Sequence, residues 1–147
     1  MKTRQNNIER THNPFNLRAN ARQTWPGQTG VDNGLVVFSH EQYAIRAMMV
    51  TLLRYVLKYQ ITTVAGLIGR WAPRDSNNTQ AYIGFVSRFA GISPADNIVC
   101  SDLPMHHLRH TSELDMKLFL VMMAMSMVET GARFTLSDFM NVRENLF

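Results

Sequence analysis

Apolar and polar positions follow helical spacing over most of the chain after residue 38. In the segment that begins at Ser39, apolar side chains recur every three or four residues from Ala44 onward. This spacing predicts an amphipathic helix that runs to about Lys58. Ser39 is a favourable N-cap, and Gln42 stands where a capping box needs its second member.

Start and stop signals predict four further helices. Thr62 would cap a short helix that ends at Trp71, because Pro73 lacks a backbone donor and cannot continue it. A short turn of helix is also expected after Pro94. The other helices are predicted over Thr79–Phe89, over Glu113–Glu129 with caps at Ser112 and Asp115, and from the "TLSD" cap of Thr135–Asp138 to the C-terminus.

Residues 1–34 show neither the helical nor the strand period. They are rich in asparagine, which favours turns because its side-chain amide mimics a backbone turn. The "DNG" of Asp32–Gly34 is a turn signal ahead of the apolar run Leu35–Phe38, which predicts a short strand. A pairing strand would come from Thr24–Val31. The fold class is therefore mainly α (α+β), with a small β element near the N-terminus.

The segment Leu118–Val128 is apolar on nearly every face, which predicts a buried helix. It is too short to span a bilayer, and the polar start of the chain does not have the pattern of a signal peptide. The methionines in and beside this segment suit either an adaptable core or a partner groove, and we favour the core.

The composition is that of a globular protein able to bury a core, with 147 residues, 46% hydrophobic and 18% charged. The net charge is +4, and the first 25 residues alone hold five cations against Glu9. We therefore predict a basic arm over residues 1–24, packed on or extending from a single mainly helical domain over residues 25–147. Such an arm suits nucleic acid, an anionic cell-wall polymer or an acidic protein face, and also an ordinary solvated terminus.

Signals of cofactor and metal chemistry are weak. The glycines do not form the strand–glycine–helix pattern of nucleotide-binding loops, so no cofactor is expected. His106 and His110 would share a helix face with His107 beside them, but no paired Cys or Asp completes a ligand set, and no metal is expected. Cys100, the single cysteine, excludes an internal disulfide framework and suits a small buried position.

Glu129 is the carboxylate with the clearest candidate chemistry. It ends an apolar helix, where burial would raise its pKa and hold it protonated near neutral pH, as a glycosidase general acid requires. Glycoside cleavage needs a second carboxylate, for which Asp32 and Asp75 are the candidates. The alternative is a carboxylate that reaches solvent at a helix end.

A polar loop with apolar anchors follows the second predicted helix. Trp71 and Pro73 stand next to the amides and hydroxyl of Asn77–Thr79. We call Thr11–Gly30 the front segment. Together with Trp25 and the asparagines of this segment, the loop residues would form a sugar-type groove of aromatic platforms and amide donors. The alternative is a loop that Trp71 pins to the core.

The same segments carry a family resemblance that covers about residues 4–131. The motifs occur in the order NPFNLR (Asn13–Arg18), WPGQ (Trp25–Gln28), LVVF (Leu35–Phe38), YAIRA (Tyr43–Ala47), RWAP (Arg70–Pro73), NTQAYI (Asn78–Ile83) and VETG (Val128–Gly131). This order resembles a family of small virion structural proteins of tailed bacteriophages. It is more distantly similar to lysozyme-like cell-wall glucosaminidase domains.

The resemblance implies a virion protein with a lysozyme-like helical fold that binds other virion proteins. Its alternative implication is a virion-associated peptidoglycan hydrolase that opens the cell wall during DNA entry, with Glu129 as general acid. A third hypothesis, separate from these two functions, is that the basic arm contacts packaged DNA. The implied glycan- or partner-binding residues are Asn13, Asn16, Arg18, Trp25, Gln28, Arg46, Trp71, Asn78 and Tyr82.

Departures from the family pattern weigh on catalysis. The pattern commonly has Glu and Asp in the loop where this chain has Ser76 and Asn78, and a Gly where it has Phe15. Glu129 keeps its place. Loss of two loop carboxylates fits a domain that retained the fold and lost the chemistry. The front segment is then expected to wrap the domain, with Phe15 and Trp25 as anchors.

Overall fold

The structure is a computed structural model that describes residues 4–73, 76–99 and 112–147. These residues form six helices and a two-stranded sheet. The helices are α1 (Arg4–Thr11), α2 (Glu41–Leu57), α3 (Val64–Trp71), α4 (Ser76–Ala90), α5 (Ser112–Thr130) and α6 (Leu136–Asn145), and the strands are β1 (Gln28–Asp32) and β2 (Leu35–Phe38). The predicted mainly helical fold with a small β element near the N-terminus is confirmed.

Local capping signals account for part of the helix boundaries. α4 begins at Ser76, three residues before the predicted Thr79, and Ser112, the predicted cap of α5, is already its first residue. α2 begins at Glu41, which places His40, and not the predicted Ser39, at the N-cap position. α3 is capped by Thr63 rather than by Thr62, since the Thr63 hydroxyl accepts the Gly66 N–H at 3.0 Å. The capping box predicted at the start of α6 is present in full. After Pro94 the chain makes a hydrogen-bonded turn and not a turn of helix.

The first helix, α1, was not expected from the sequence. Its residues show no apolar period, so nothing local favours a helix over a polar loop. α1 packs against β2, and its Arg10 forms an ion pair with Asp32 of β1, with 2.6 Å between Nε and Oδ2. We attribute the ordering of this short helix to these tertiary contacts, because an isolated helix of this length is marginal in water.

β1 and β2 form the predicted antiparallel hairpin. The pairs Val31–Val36 and Asp32–Leu35 flank a two-residue turn. Both turn residues have positive φ, +52° at Asn33 and +80° at Gly34, as an Asn-Gly type I′ turn requires.

The front segment adds to the free edge of β2. Arg18 bridges Leu35, and the Val36 N–H donates to the Leu17 carbonyl at 3.0 Å. The Ala19 N–H donates to the Gly34 carbonyl at 2.8 Å. These contacts cover an edge that would otherwise expose unpaired backbone groups.

The chain forms two compact units, one of Met1–Val50 with Met125–Phe147 and one of Thr51–Ala124. The boundaries fall inside α2 and α5, so each of these helices contributes residues to both units. The predicted arm over residues 1–24 and single domain over residues 25–147 stay predictions.

Each unit has its own set of buried apolar side chains. In the first unit the most deeply buried are Phe15, Val36, Phe38, Ala44, Ile45, Met48, Met125, Phe139 and Val142. In the second they are Leu52, Val56, Val64, Leu67, Ile68, Val86, Ile98, Leu114, Val121, Met122 and Ala124. The predicted burial of α5 is thus confirmed for Met122 and Met125, whereas Met116 remains 38% exposed. Among the described residues, no helix has the length and apolar character to cross a membrane.

Candidate functional site

The loop Asn13–Asn16, here called the NPFN loop, is built around a buried amide. Asn13 has no exposed surface. Its Nδ2 donates to the carbonyls of Leu17 and Val36, both at 2.9 Å, and its Oδ1 accepts the Leu17 N–H at 3.0 Å. Both amide hydrogens and the oxygen are therefore used inside the first unit. Asn13 closes the loop on itself and ties it to β2.

The NPFN loop is also joined to the C-terminal end of α5. The Thr130 hydroxyl donates to the Pro14 carbonyl at 2.8 Å. Asn16 Nδ2 donates to the backbone carbonyl of Glu129 at 3.1 Å and lies 3.4 Å from its Oε1. The last carbonyls of a helix lack intrahelical partners, so Asn16 satisfies one of them from outside. Asn16 adopts a left-handed conformation, with φ of +53°, that Asn tolerates better than most residues.

Phe15 anchors the loop through aromatic contacts. The ring is fully buried and stacks on Phe134, with 6.5 Å between centroids and 22° between planes. Phe134 in turn meets the edge of Phe139 at 6.0 Å. Phe15 thus gives this loop an apolar anchor, in agreement with the expectation that Phe15 holds the front segment.

Glu129 is half-buried beside this loop. Its carboxylate faces the Asn16 amide, and Asn16 Oδ1 is buried with no hydrogen-bond partner among the described residues. The Glu129 carboxylate and the unused Asn16 Oδ1 therefore place two acceptor groups next to each other in the first unit. Asp32, one candidate for the second carboxylate, pairs with Arg10, and Asp75, the other, lies outside the described residues.

Trp25 and Gln28 form a closed turn. The Trp25 N–H donates to Gln28 Oε1 at 3.0 Å, and the Gln28 N–H donates to the Trp25 carbonyl at the same distance. Trp25 is only 7% exposed, so its ring anchors the segment and offers little area as a sugar platform. Gly27 has a φ of +79°, and a Cβ at this position would overlap the ring of Tyr43.

The two predicted arginines of the first unit have different environments. Arg18 is exposed next to β2. Arg46 is half-buried, and its Nε donates to the Leu146 carbonyl at 3.0 Å. The guanidinium of Arg46 also lies over the Phe147 ring, 5.4 Å from its centroid, and Arg143 lies over the same ring at 4.9 Å. Arg46 therefore fastens the C-terminal residues to α2.

The remaining predicted site residues belong to the second unit. Trp71 is half-buried at the end of α3, and Asn78 is exposed in the first turn of α4. Tyr82 is 8% exposed, which leaves little of its ring for a ligand. The Thr79 hydroxyl donates to the Ala72 carbonyl and links the two helices of this region.

A surface pocket of about 380 Å³ in the first unit was not anticipated. Its lining residues are His40, Gln42, Tyr43, Asn141, Val142, Asn145 and Leu146. They come from the start of α2 and from α6, which are far apart in the sequence. The spacing of Asn141 and Asn145 on one helix face was the local signal that could have indicated a polar surface here.

The candidate metal ligands His106, His107 and His110 and the thiol of Cys100 lie outside the described residues. Within residues 4–73, 76–99 and 112–147, no group of three or more His, Cys, Asp and Glu side chains has a metal-binding arrangement.

Comparison with known proteins adds a bacteriophage relative. The chain is 33% identical over 87 residues to protein P5 of Pseudoalteromonas phage PM2. The similar region covers 56% of this chain and 54% of P5, so the chain spans about half the length of this relative. No protein-family model matches the chain.

Proposed function

We propose that this chain is a structural component of a bacteriophage virion and binds other virion proteins. The similarity to a protein of phage PM2 supports a phage origin. The order of motifs along residues 4–131 resembles virion structural proteins and supports the particle as its location. A lysozyme-like fold and a place in the tail or capsid are parts of the same proposal.

The observation that carries this proposal is the internal use of the polar front segment. The Asn13 amide makes all its hydrogen bonds inside the first unit, and Asn16 binds the end of α5. Gln28 Oε1 accepts the Trp25 N–H. Groups that would hold a glycan in a hydrolase serve here to hold the chain together. We infer that this segment was kept for its architecture.

Exposed apolar side chains supply contact area for neighbouring virion proteins. In the first unit, Val31 is 57% exposed, and Met140 and Phe147 are each 47% exposed. Burial of such side chains against a partner favours association, by roughly 25 cal/mol per Å² of apolar surface removed from water.

The direct test is the protein composition of purified particles. Phage particles purified on a density gradient should contain the chain in a fixed ratio to the other virion proteins, as measured by quantitative mass spectrometry. Infected-cell lysate from which particles have been removed is the control. A chain found in the lysate and absent from infectious particles would contradict the structural proposal.

The alternative is a virion-associated peptidoglycan hydrolase with Glu129 as general acid. The half-buried carboxylate of Glu129 and the unused Oδ1 of Asn16 beside it favour keeping this alternative. Purified peptidoglycan incubated with the folded protein distinguishes the two functions, through turbidity and the release of muropeptides.

The structural proposal predicts no clearing by the wild-type chain. Clearing by wild type that is lost in Glu129→Gln would instead establish the hydrolase. The glutamine retains an oxygen that accepts from Asn16, so this variant should fold. Glu144→Gln, which changes an exposed carboxylate of the same unit, is the matched control.

A further inference from the structure

A cluster of cations and tyrosines lies in the second unit where α2 and α3 end. We call Arg54, Tyr55, Lys58, Tyr59 and Arg70 the cationic cluster. All three cations are exposed, and Tyr59 is 42% exposed. Its residues differ from those of the basic arm, residues 1–24, which the sequence predicts for contact with a polyanion.

The turn after α2 assembles this cluster. Gln60 has a φ of +56°, which reverses the chain, and the Ile61 N–H donates to the Tyr55 carbonyl at 3.0 Å. α3 then starts at the Thr63 cap and ends with Arg70 in its last turn. Residues that are 11 to 15 positions apart meet in this way without any periodic signal in the sequence.

Arg70 stacks on both tyrosines. Its Cζ is 3.9 Å from the ring centroid of Tyr59 and 5.2 Å from that of Tyr55. Stacking occupies the faces of the guanidinium, whereas its N–H donors point outward in its plane. The two ring contacts hold the guanidinium in place and leave its N–H donors available at its edges.

Two cations of the cluster, Lys58 and Arg70, have no carboxylate partner among the described residues. Burial raises the pKa of the Tyr55 hydroxyl, an effect that the nearby positive charge of Arg70 opposes. The phenol is therefore neutral at neutral pH and does not offset the cations.

We propose that the cationic cluster binds single-stranded nucleic acid, with Arg70 and Lys58 on backbone phosphates and Tyr59 against a base. Planar guanidinium edges fit phosphate oxygens, and an exposed aromatic ring beside them fits a base. This combination favours a polymer that has both phosphates and flat bases over a polyanion that has charge alone. The inference goes beyond the virion proposal and does not depend on it.

Fluorescence anisotropy of a labelled oligothymidine of roughly 16 nucleotides tests this site. The full chain is titrated at salt concentrations between roughly 50 and 200 mM. We expect Arg70→Gln to weaken binding about tenfold. Lys58→Gln combined with Arg70→Gln should make the negative slope of log affinity against log salt less steep by about 1.4, because each lost phosphate contact accounts for about 0.7 on single strands.

Two further variants separate specific from general charge effects. Arg88→Gln removes an exposed cation of α4 in the same unit and should change the affinity less than about twofold. Tyr59→Leu should weaken binding about fivefold with the salt slope unchanged, because stacking does not depend on counterion release. Thermal melts followed by circular dichroism check that each variant is folded. If Arg70→Gln is unfolded, Lys58→Gln alone, which changes a residue in the exposed turn, tests the contribution of the cluster to binding.

Three outcomes would overturn the proposal. One is the absence of binding by the wild-type chain at the lower salt concentration. Another is an equal loss in Arg88→Gln and Arg70→Gln, which would mean that net charge alone attracts the DNA. The third comes from phosphatidylserine vesicles: if Arg70→Gln abolishes vesicle binding and leaves DNA binding unchanged, the cluster faces an anionic lipid surface.

Discussion

At the scale of single residues, two asparagines of one loop have different structural roles. Asn13 is buried and uses both amide hydrogens and its oxygen within the first unit, whereas Asn16 reaches across to the end of α5. In the sequence both appear as turn formers. Their partners distinguish them, because only the path of the folded backbone decides which carbonyls each amide meets.

Asn13→Ala should therefore destabilise the protein strongly. The substitution leaves two carbonyls and the Leu17 N–H without their partner, and we expect a loss of about 3 kcal/mol in the free energy of unfolding. Urea denaturation followed by circular dichroism measures this loss.

Asn20→Ala is the matched control for that experiment. Asn20 is exposed, and its Oδ1 accepts the Arg22 N–H at 2.9 Å. Water can replace this contact, so we expect less than about 1 kcal/mol. Equal effects of the two substitutions would contradict the structural role assigned to Asn13.

At the scale of secondary-structure elements, the hairpin and its approach depend on two glycines with nearly the same conformation. Gly27 has a φ of +79° and Gly34 a φ of +80°. Their surroundings differ: a Cβ on Gly27 would overlap the Tyr43 ring, whereas no atom lies within 4 Å of a Cβ on Gly34. The pair separates backbone strain from steric overlap.

Gly34→Ala should cost about 1 kcal/mol of folding free energy, which is the penalty of a left-handed conformation for a residue with a Cβ. Gly27→Ala adds the displacement of Tyr43 and should cost about 3 kcal/mol. Thermal melts of both variants measure the difference. If the two were equally stable, Tyr43 would have to move freely, and the close packing described for α2 and the Trp25 turn would be wrong.

At the scale of the whole molecule, charge is distributed over both units. The net charge is +4. Part of the positive charge of the predicted basic arm, residues 1–24, is already neutralised, since Arg10 pairs with Asp32. The attraction of this segment for a polyanion is correspondingly reduced. If the chain is a virion protein, as proposed above, packed protein contacts rather than the charge of the arm should attach it to the particle.

This assignment predicts that the chain stays on purified particles through a wash in about 1 M salt, where the Debye length is about 3 Å. Apolar packing survives such conditions, and contacts between exposed charges do not. Immunoblots of pelleted particles and supernatants give the retained fraction, with a low-salt wash as control. Release into the supernatant at high salt would favour attachment through the basic arm to DNA or another polyanion.

Elements with local signals could be predicted from the order of residue types. Helical periodicity and caps indicated α2, α3, α4, α5 and α6, and the Asn-Gly turn indicated the hairpin. The errors at Ser39 and Thr62 were of a single position, because adjacent polar residues are nearly equivalent as caps.

The burial of particular polar residues and the identity of their partners depend on how the segments pack. α1 has no local signal and forms against β2, and Asn16 meets Glu129 across 113 positions of sequence. Arg70 reaches Tyr59 because Gln60 reverses the chain after α2. Such contacts depend on the path of the backbone through space. Sequence patterns indicate the local conformational preference of each segment, whereas these pairings form only when the segments pack together.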